Sequence, residues 1–173
     1  VKASGIDYAI IRATKKSTSN GENGTYLKMD AKFKRNMKNA IAAGIKVGVY
    51  VYSYATSVSQ AKKEAELVLK YVEPYKLTYP IYFDIEDITR KKTSLKTENT
   101  NMAIAFCDTV KAAGYIPGVY SMASFFGTYI NTSAISKYDI WIARYKYFPD
   151  LEKNPKPKFF FPSGLDDINS WIN

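Results

Sequence analysis

The residues Pro80-Ile81-Tyr82-Phe83-Asp84-Ile85-Glu86-Asp87 give the first firm foothold in this chain. Ile81, Phe83 and Ile85 alternate with Tyr82, Asp84 and Glu86, so a strand over 81–86 sends the apolar set to one side and both carboxylates to the other. At ~3.3 Å per residue the Cβ atoms of the two acids fall roughly 6.6 Å apart. Carboxyl pairs about 5 to 9.5 Å apart carry out glycoside hydrolysis, and this spacing is compatible with that chemistry. An isolated Asp-x-Glu also has a plainer reading, in which the acids close a strand and cap the next helix.

Around this segment a helix-to-strand junction recurs. Small residues and a glycine precede an apolar run at Lys2-Ala3-Ser4-Gly5, at Ala42-Ala43-Gly44 and at Ala112-Ala113-Gly114. Each glycine suits a left-handed helix stop. The wider second gap leaves room for one more unit, which holds the Pro80 strand. Helical stripes lie between the junctions. Phe33, Met37, Ala40 and Ile41 form one, Ala61, Ala65, Val68, Leu69 and Val72 a second, and Met102, Phe106, Val110 and Ala113 a third. Ser57 with Gln60 offers a capping box, and Glu66 with Lys70 an i,i+4 pair.

Strands are expected at about 7–13, 45–54, 81–86, 115–120 and 139–145. Their alternation with helices predicts a mostly parallel, helix-covered sheet, either open and doubly wound or closed into a barrel. The barrel is preferred because Arg12, Tyr52, Tyr54, Asp84, Glu86, Tyr120, Arg144 and Tyr145 gather at strand ends, and barrel active sites lie at the C-terminal ends of strands. Beyond Tyr145 four prolines and Phe159-Phe160-Phe161 break the pattern.

A chain of 173 residues supports one core, so residues 1–173 are taken as a single domain. With 46% hydrophobic and 24% charged residues the composition is that of a soluble globular protein, and no apolar run approaches the ~20 residues of a membrane span. The sequence contains no His, which excludes an imidazole metal site and a Ser/His triad. No metal or cofactor is expected, and acid-base work falls chiefly to carboxylates. Cys107 sits beside the third stripe as an inert packing residue. The net charge of +9 implies an anionic partner, while Lys15-Lys16 and Arg90-Lys91-Lys92 read as solvated basic surface. Nucleic-acid binding would rest on charge alone, with no accompanying motif, and is not expected. The sequence shows no signal-peptide pattern and opens on Val1 rather than Met, so its termini do not indicate a compartment.

Five segments in order resemble glycoside hydrolase family 25, the Chalaropsis-type lysozymes that include phage endolysins. They are Gly5 to Ala13, Gly48 to Ala55, Tyr82 to Asp87, Pro117 to Ser121 and Trp141 to Tyr145. The resemblance implies an irregular, TIM-like β/α barrel acting as a muramidase, a hydrolase of the β-1,4 bond between N-acetylmuramic acid and N-acetylglucosamine in peptidoglycan. It implies Glu86 as catalytic acid/base and Asp84 as its partner, and it points to Tyr52, Tyr54, Tyr120 and Trp141 as sugar-binding aromatics. Arg12 and Arg144 would pair with the acids or with a substrate carboxylate. Such an enzyme is extracellular or wall-directed, with glycan strands and anionic wall polymers as partners. The alternative is a noncatalytic or truncated wall-binding module.

Two departures stand out. The family's opening Gly-Ile-Asp-Val-Ser-x-Trp strand is absent ahead of Gly5, and its closing Trp-Gln-Tyr is absent as well. Asp167-Ile168-Asn169-Ser170-Trp171 carries the Asp and Trp of the opening motif, which suggests an incomplete or circularly permuted barrel with Asp167 returned to the site.

Overall fold

The computed structural model describes residues 5–19 and 21–143. In chain order these form β1 (Tyr8–Arg12), a hairpin of β2 (Thr14–Lys16) and β3 (Leu27–Met29), α1 (Phe33–Ala42), β4 (Lys46–Tyr52), α2 (Val58–Val72), β5 (Ile81–Asp84), α3 (Lys96–Ala112), β6 (Pro117–Met122), α4 (Ala123–Tyr129), α5 (Thr132–Ile135) and β7 (Asp139–Ala143). The five long-range strands are all parallel, in the order β1-β4-β5-β6-β7, and the sheet curls as a half-barrel. The expected βα alternation is therefore present, and β5 is the central strand. Among the described residues the barrel is open rather than closed. Arg144, Tyr145, Asp167 and the proposed return of the tail to the site lie outside the described residues.

The three junction glycines have φ of 77° at Gly5, 67° at Gly44 and 84° at Gly114, the left-handed geometry a helix stop needs. Gly44 and Gly114 release the chain from α1 and α3 into β4 and β6, and Gly5 precedes β1. Along β4, β5 and β6 the residues Val47, Val49, Val51, Ile81, Phe83 and Val119 are fully buried in the core shared with the helices. Phe83 stacks at a tilt on Phe106 of α3, with ring centroids 4.7 Å apart. The residues between them belong to the other face and line up across the sheet. One row is Arg12, Tyr50, Tyr82, Gly118 and Asp139, and the row above it is Tyr52, Asp84, Tyr120 and Trp141. The period-2 pattern thus divides the sheet into a greasy outer face under helices and a polar, aromatic inner face.

Several local expectations need correction. The 81–86 strand ends at Asp84, and Glu86 stands in the following turn. Ile41 is 42% exposed and Ala113 is exposed, so the first and third stripes are shorter than read. Ser57 caps α2 by accepting from the Gln60 N–H at 3.3 Å, but the Gln60 side chain accepts from the Thr56 N–H at 2.8 Å instead of returning to Ser57. Arg90 is buried, not solvated. Its Nε donates to Asn99 Oδ1 at 2.8 Å, and its guanidinium pairs with Glu98 at 3.0 Å. Cys107 is buried as expected.

Gly118 makes the inner face fit. A Cβ there would meet Cδ1 and Cε1 of Tyr82 at 2.5 Å, and the Tyr82 ring meets Trp141 edge-on at 5.4 Å. Gly118→Ala is expected to lower the unfolding free energy by about 1–3 kcal/mol through overpacking, read by denaturant titration. An unchanged midpoint would show that Tyr82 can shift without penalty.

Candidate active site

β5 delivers Asp84 to the inner face as its last residue, and the chain then turns. The Ile85 N–H donates to the Tyr120 carbonyl at 3.0 Å, and the buried Ser121 hydroxyl donates to the Ile85 carbonyl at 2.6 Å. On the far side, Asp87 accepts from the Thr89 N–H at 2.9 Å and from its hydroxyl at 2.6 Å. Glu86 is held between these two anchors. Asn99 secures the loop further on, donating to the carbonyls of Arg90 at 3.0 Å and Tyr129 at 3.1 Å. The second acid is therefore fixed by bonds to the neighbouring strand and to α3 rather than by the ladder of its own strand.

Asp84 and Glu86 line one cavity of about 230 Å³ with Arg12, Tyr50, Tyr52, Tyr120 and Trp141. It opens at the C-terminal ends of the parallel strands, where barrel-type folds concentrate chemistry. Trp141 meets Tyr120 edge-on at 4.7 Å, giving the cavity a stiff aromatic wall. On the opposite side Tyr52 packs at 5.0 Å against Tyr54.

The two carboxyls differ in setting. Asp84 is 3% exposed, and its Oδ1 has no hydrogen-bond partner among the described residues. Burial, reinforced by the charge of Glu86 and opposed by Arg12, pushes Asp84 up to about 8. Glu86 is only partly buried. The more deeply buried carboxyl of the pair is thus Asp84. Burial together with the charges of Asp87 and Glu86 pushes the Tyr52 phenol up to about 12, so it remains a neutral hydrogen-bond donor.

Of the residues singled out from sequence, the cavity brings together Asp84, Glu86, Arg12, Tyr52, Tyr120 and Trp141. Tyr54 stands behind Tyr52 instead of in the lining. Arg12 makes no salt bridge with either acid among the described residues, and its Nε donates to the Thr14 carbonyl at 2.8 Å. It acts on Asp84 through space. Arg144 and Asp167 lie outside the described residues. Tyr50 was missed, although its two-residue spacing from Tyr52 on a strand already placed both on one face.

The family model for Glycosyl hydrolases family 25 matches residues 1–171. The lysozyme of Lactococcus phage mv1 is 37% identical over 132 residues, covering 69% of this chain and 64% of that protein. A D-alanyl-L-alanine endopeptidase of Streptococcus phage B30 is 35% identical over 130 residues, covering 72% of this chain and 28% of that one. The chain therefore spans less than two thirds of either relative. Among solved structures, the modular autolysin LytC from Streptococcus pneumoniae, in complex with a synthetic peptidoglycan ligand, aligns with a TM-score of 0.67 at 29% identity, covering 84% of this chain and 33% of LytC. A family 25 glycosyl hydrolase from Bacillus anthracis shares the fold at a TM-score of 0.59. An acid pair at the end of the central strand of a curled parallel sheet, in a chain matched almost end to end by one family model, leads to a single assignment: this chain belongs to glycosyl hydrolase family 25.

Proposed function

We propose that the chain is the catalytic part of a peptidoglycan hydrolase, an N-acetylmuramidase that cleaves the β-1,4 bond between N-acetylmuramic acid and N-acetylglucosamine. The observation that carries this reading is the convergence of Asp84 and Glu86 on one aromatic-walled cavity. The half-barrel would then be part of an irregular β/α barrel whose strand ends hold the substrate. The net charge of +9 favours residence on anionic wall polymers, and so a wall-directed, released enzyme.

In this reading Glu86 is the acid/base and Asp84 its partner. Asp84 stays neutral up to about pH 8 beside Glu86, so the couple retains a proton through the neutral range. In one state the proton rests on Asp84. In the reacting state Glu86 gives the proton to the leaving glycosidic oxygen while the Asp84 carboxylate opposes the positive charge developing on the sugar ring, and water finally adds to the anomeric carbon and returns a proton to Glu86. The attraction of Arg12 for an ionised Asp84 favours this second state. Tyr52, Tyr120 and Trp141 offer flat apolar surface and polar edges to the sugars.

Peptide-bond cleavage, named for the phage B30 relative, finds less support here. The sequence has no His to pair with Ser or Cys, and Cys107 is buried with its thiol pushed up by desolvation. Digestion of purified bacterial wall followed by mass spectrometry of the fragments decides the matter. New N-acetylmuramic acid reducing ends support the proposal, and new peptide amines or N-acetylglucosamine reducing ends sink it. Trp141→Ala is expected to raise KM for wall fragments about tenfold through loss of the stacking wall, with a smaller change in kcat. An unchanged KM would remove Trp141 from the binding surface.

A further inference from the structure

Among the described residues the proposed reaction leaves one buried acid unused. Glu64 lies in the middle of α2, 1% exposed, with Oε2 lacking any hydrogen-bond partner among the described residues. A carboxyl in such a place is unfavourable unless it performs a task an apolar side chain cannot. The backbone opposite it supplies the task. At the end of β4 the ladder gives its last bond, Ser53 N–H to the Asp84 carbonyl at 2.9 Å. The next three N–H groups have no strand partner, and side chains take all of them. Tyr54 N–H donates to Glu64 Oε1 at 3.0 Å, Ala55 N–H to Ser53 Oγ at 3.1 Å and Thr56 N–H to Gln60 Oε1 at 2.8 Å.

Glu64 is the member of this set that reaches Tyr54, two residues beyond the end of β4. Its acceptor fixes where the Tyr54 backbone leaves the sheet. The Tyr54 ring then lies 5.0 Å from Tyr52, which lines the cavity, with Lys16 Nζ 4.6 Å from its centroid on the hairpin side. Without that bond a partly buried N–H would lose its acceptor, and the Ser53–Ala55 segment would move to reach water or another acceptor.

We infer that Glu64 is a positioning residue of the glycan-binding cleft, holding Tyr54, and through it Tyr52, in the geometry that receives sugar. This rests on the muramidase reading for the identity of the ligand. Glu64 touches no substrate and takes no part in proton transfer. Desolvation pushes its carboxyl up to about 7, opposed in part by the bond from the Tyr54 N–H, which Oε1 accepts. Gln offers that oxygen in the same place. Asp, one methylene shorter, does not reach it.

The test measures binding without turnover. In an otherwise Glu86→Gln protein, calorimetry with a purified N-acetylglucosamine–N-acetylmuramic acid tetrasaccharide should give a Kd about tenfold weaker for Glu64→Ala, and weaker for Glu64→Asp as well, as expected for one lost structural hydrogen bond. Glu64→Gln should keep the parent Kd. A merely structural role would reduce the fraction of binding-competent protein and leave Kd unchanged, which overturns the inference, as does a Gln variant no better than Ala. If Glu64→Ala does not fold, the Asp and Gln pair decides the outcome alone. A wild-type protein that binds the sugar without cleaving it would sink the hydrolase reading and leave this one to the Kd values.

Discussion

Glu86→Gln is expected to slow wall clearing by about 10²–10⁴-fold, the usual contribution of a positioned general acid, while wall binding stays near wild type. Gln matches Glu in size, and the anchors on either side of it belong to the backbone and side chains of other residues, Ile85 to Tyr120 and Ser121, and Asp87 to Thr89. The loop therefore has no reason to collapse, and the loss falls on proton transfer. Turbidity clearance and wall pull-down, run on the same preparations, separate the two effects. Equal clearing by the two proteins would remove Glu86 from catalysis and favour a module that only binds. A second readout follows from the electrostatics. The charge of Glu86 is one of the causes holding Asp84 up, so carboxyl NMR should show Asp84 titrating lower in Glu86→Gln than in wild type.

How far the sequence anticipates this site depends on the range of the interaction involved. Alternation is local, so the inner row through Asp84 and Tyr52 and the burial of Phe83 follow from residue order alone. The left-handed glycines are local as well, and they mark the joints between βα units. Tyr54 shows where that logic fails. It continues the Tyr50-Tyr52 rhythm on paper, but β4 ends at Tyr52, and the Tyr54 N–H is taken by an acceptor from α2. Glu64 itself resembles any polar residue on an amphipathic helix, and only the packing of the turn at 53–55 against it makes it buried. Arg90 misleads for the same reason, since a basic cluster reads as surface until Asn99 and Glu98 are placed beside it. The β2–β3 hairpin escapes because three-residue strands carry no detectable period.

Asp84→Asn is expected to abolish clearing and yet to stabilise the protein in mildly alkaline solution. The sign follows from where the proton is held. Folding raises the Asp84 carboxyl from 3.8 to about 8, so the folded state binds this proton more tightly than the unfolded chain does. Its stabilising contribution is complete below about pH 4 and is lost as pH rises to about 8, because the unfolded chain ionises freely while the folded one must either keep its proton or bury a charge. At high pH the penalty reaches at most ~6 kcal/mol. Asn carries no such charge, although its unmet amide donors beside the cavity return about 1–3 kcal/mol of it. The difference in unfolding free energy, variant minus wild type, should therefore be about −1 to −3 kcal/mol at pH 4 and rise to at most about +3–5 kcal/mol by pH 9. Glu64, which also titrates in this range, is present in both proteins and largely cancels from the difference. Denaturant titrations at a series of pH values measure it directly. A flat difference across that range would mean that Asp84 is ionised throughout, and the proton the reaction needs would then have to reside on Glu86. A rising difference together with lost activity would mark Asp84 as a group kept at the expense of stability because the reaction needs it.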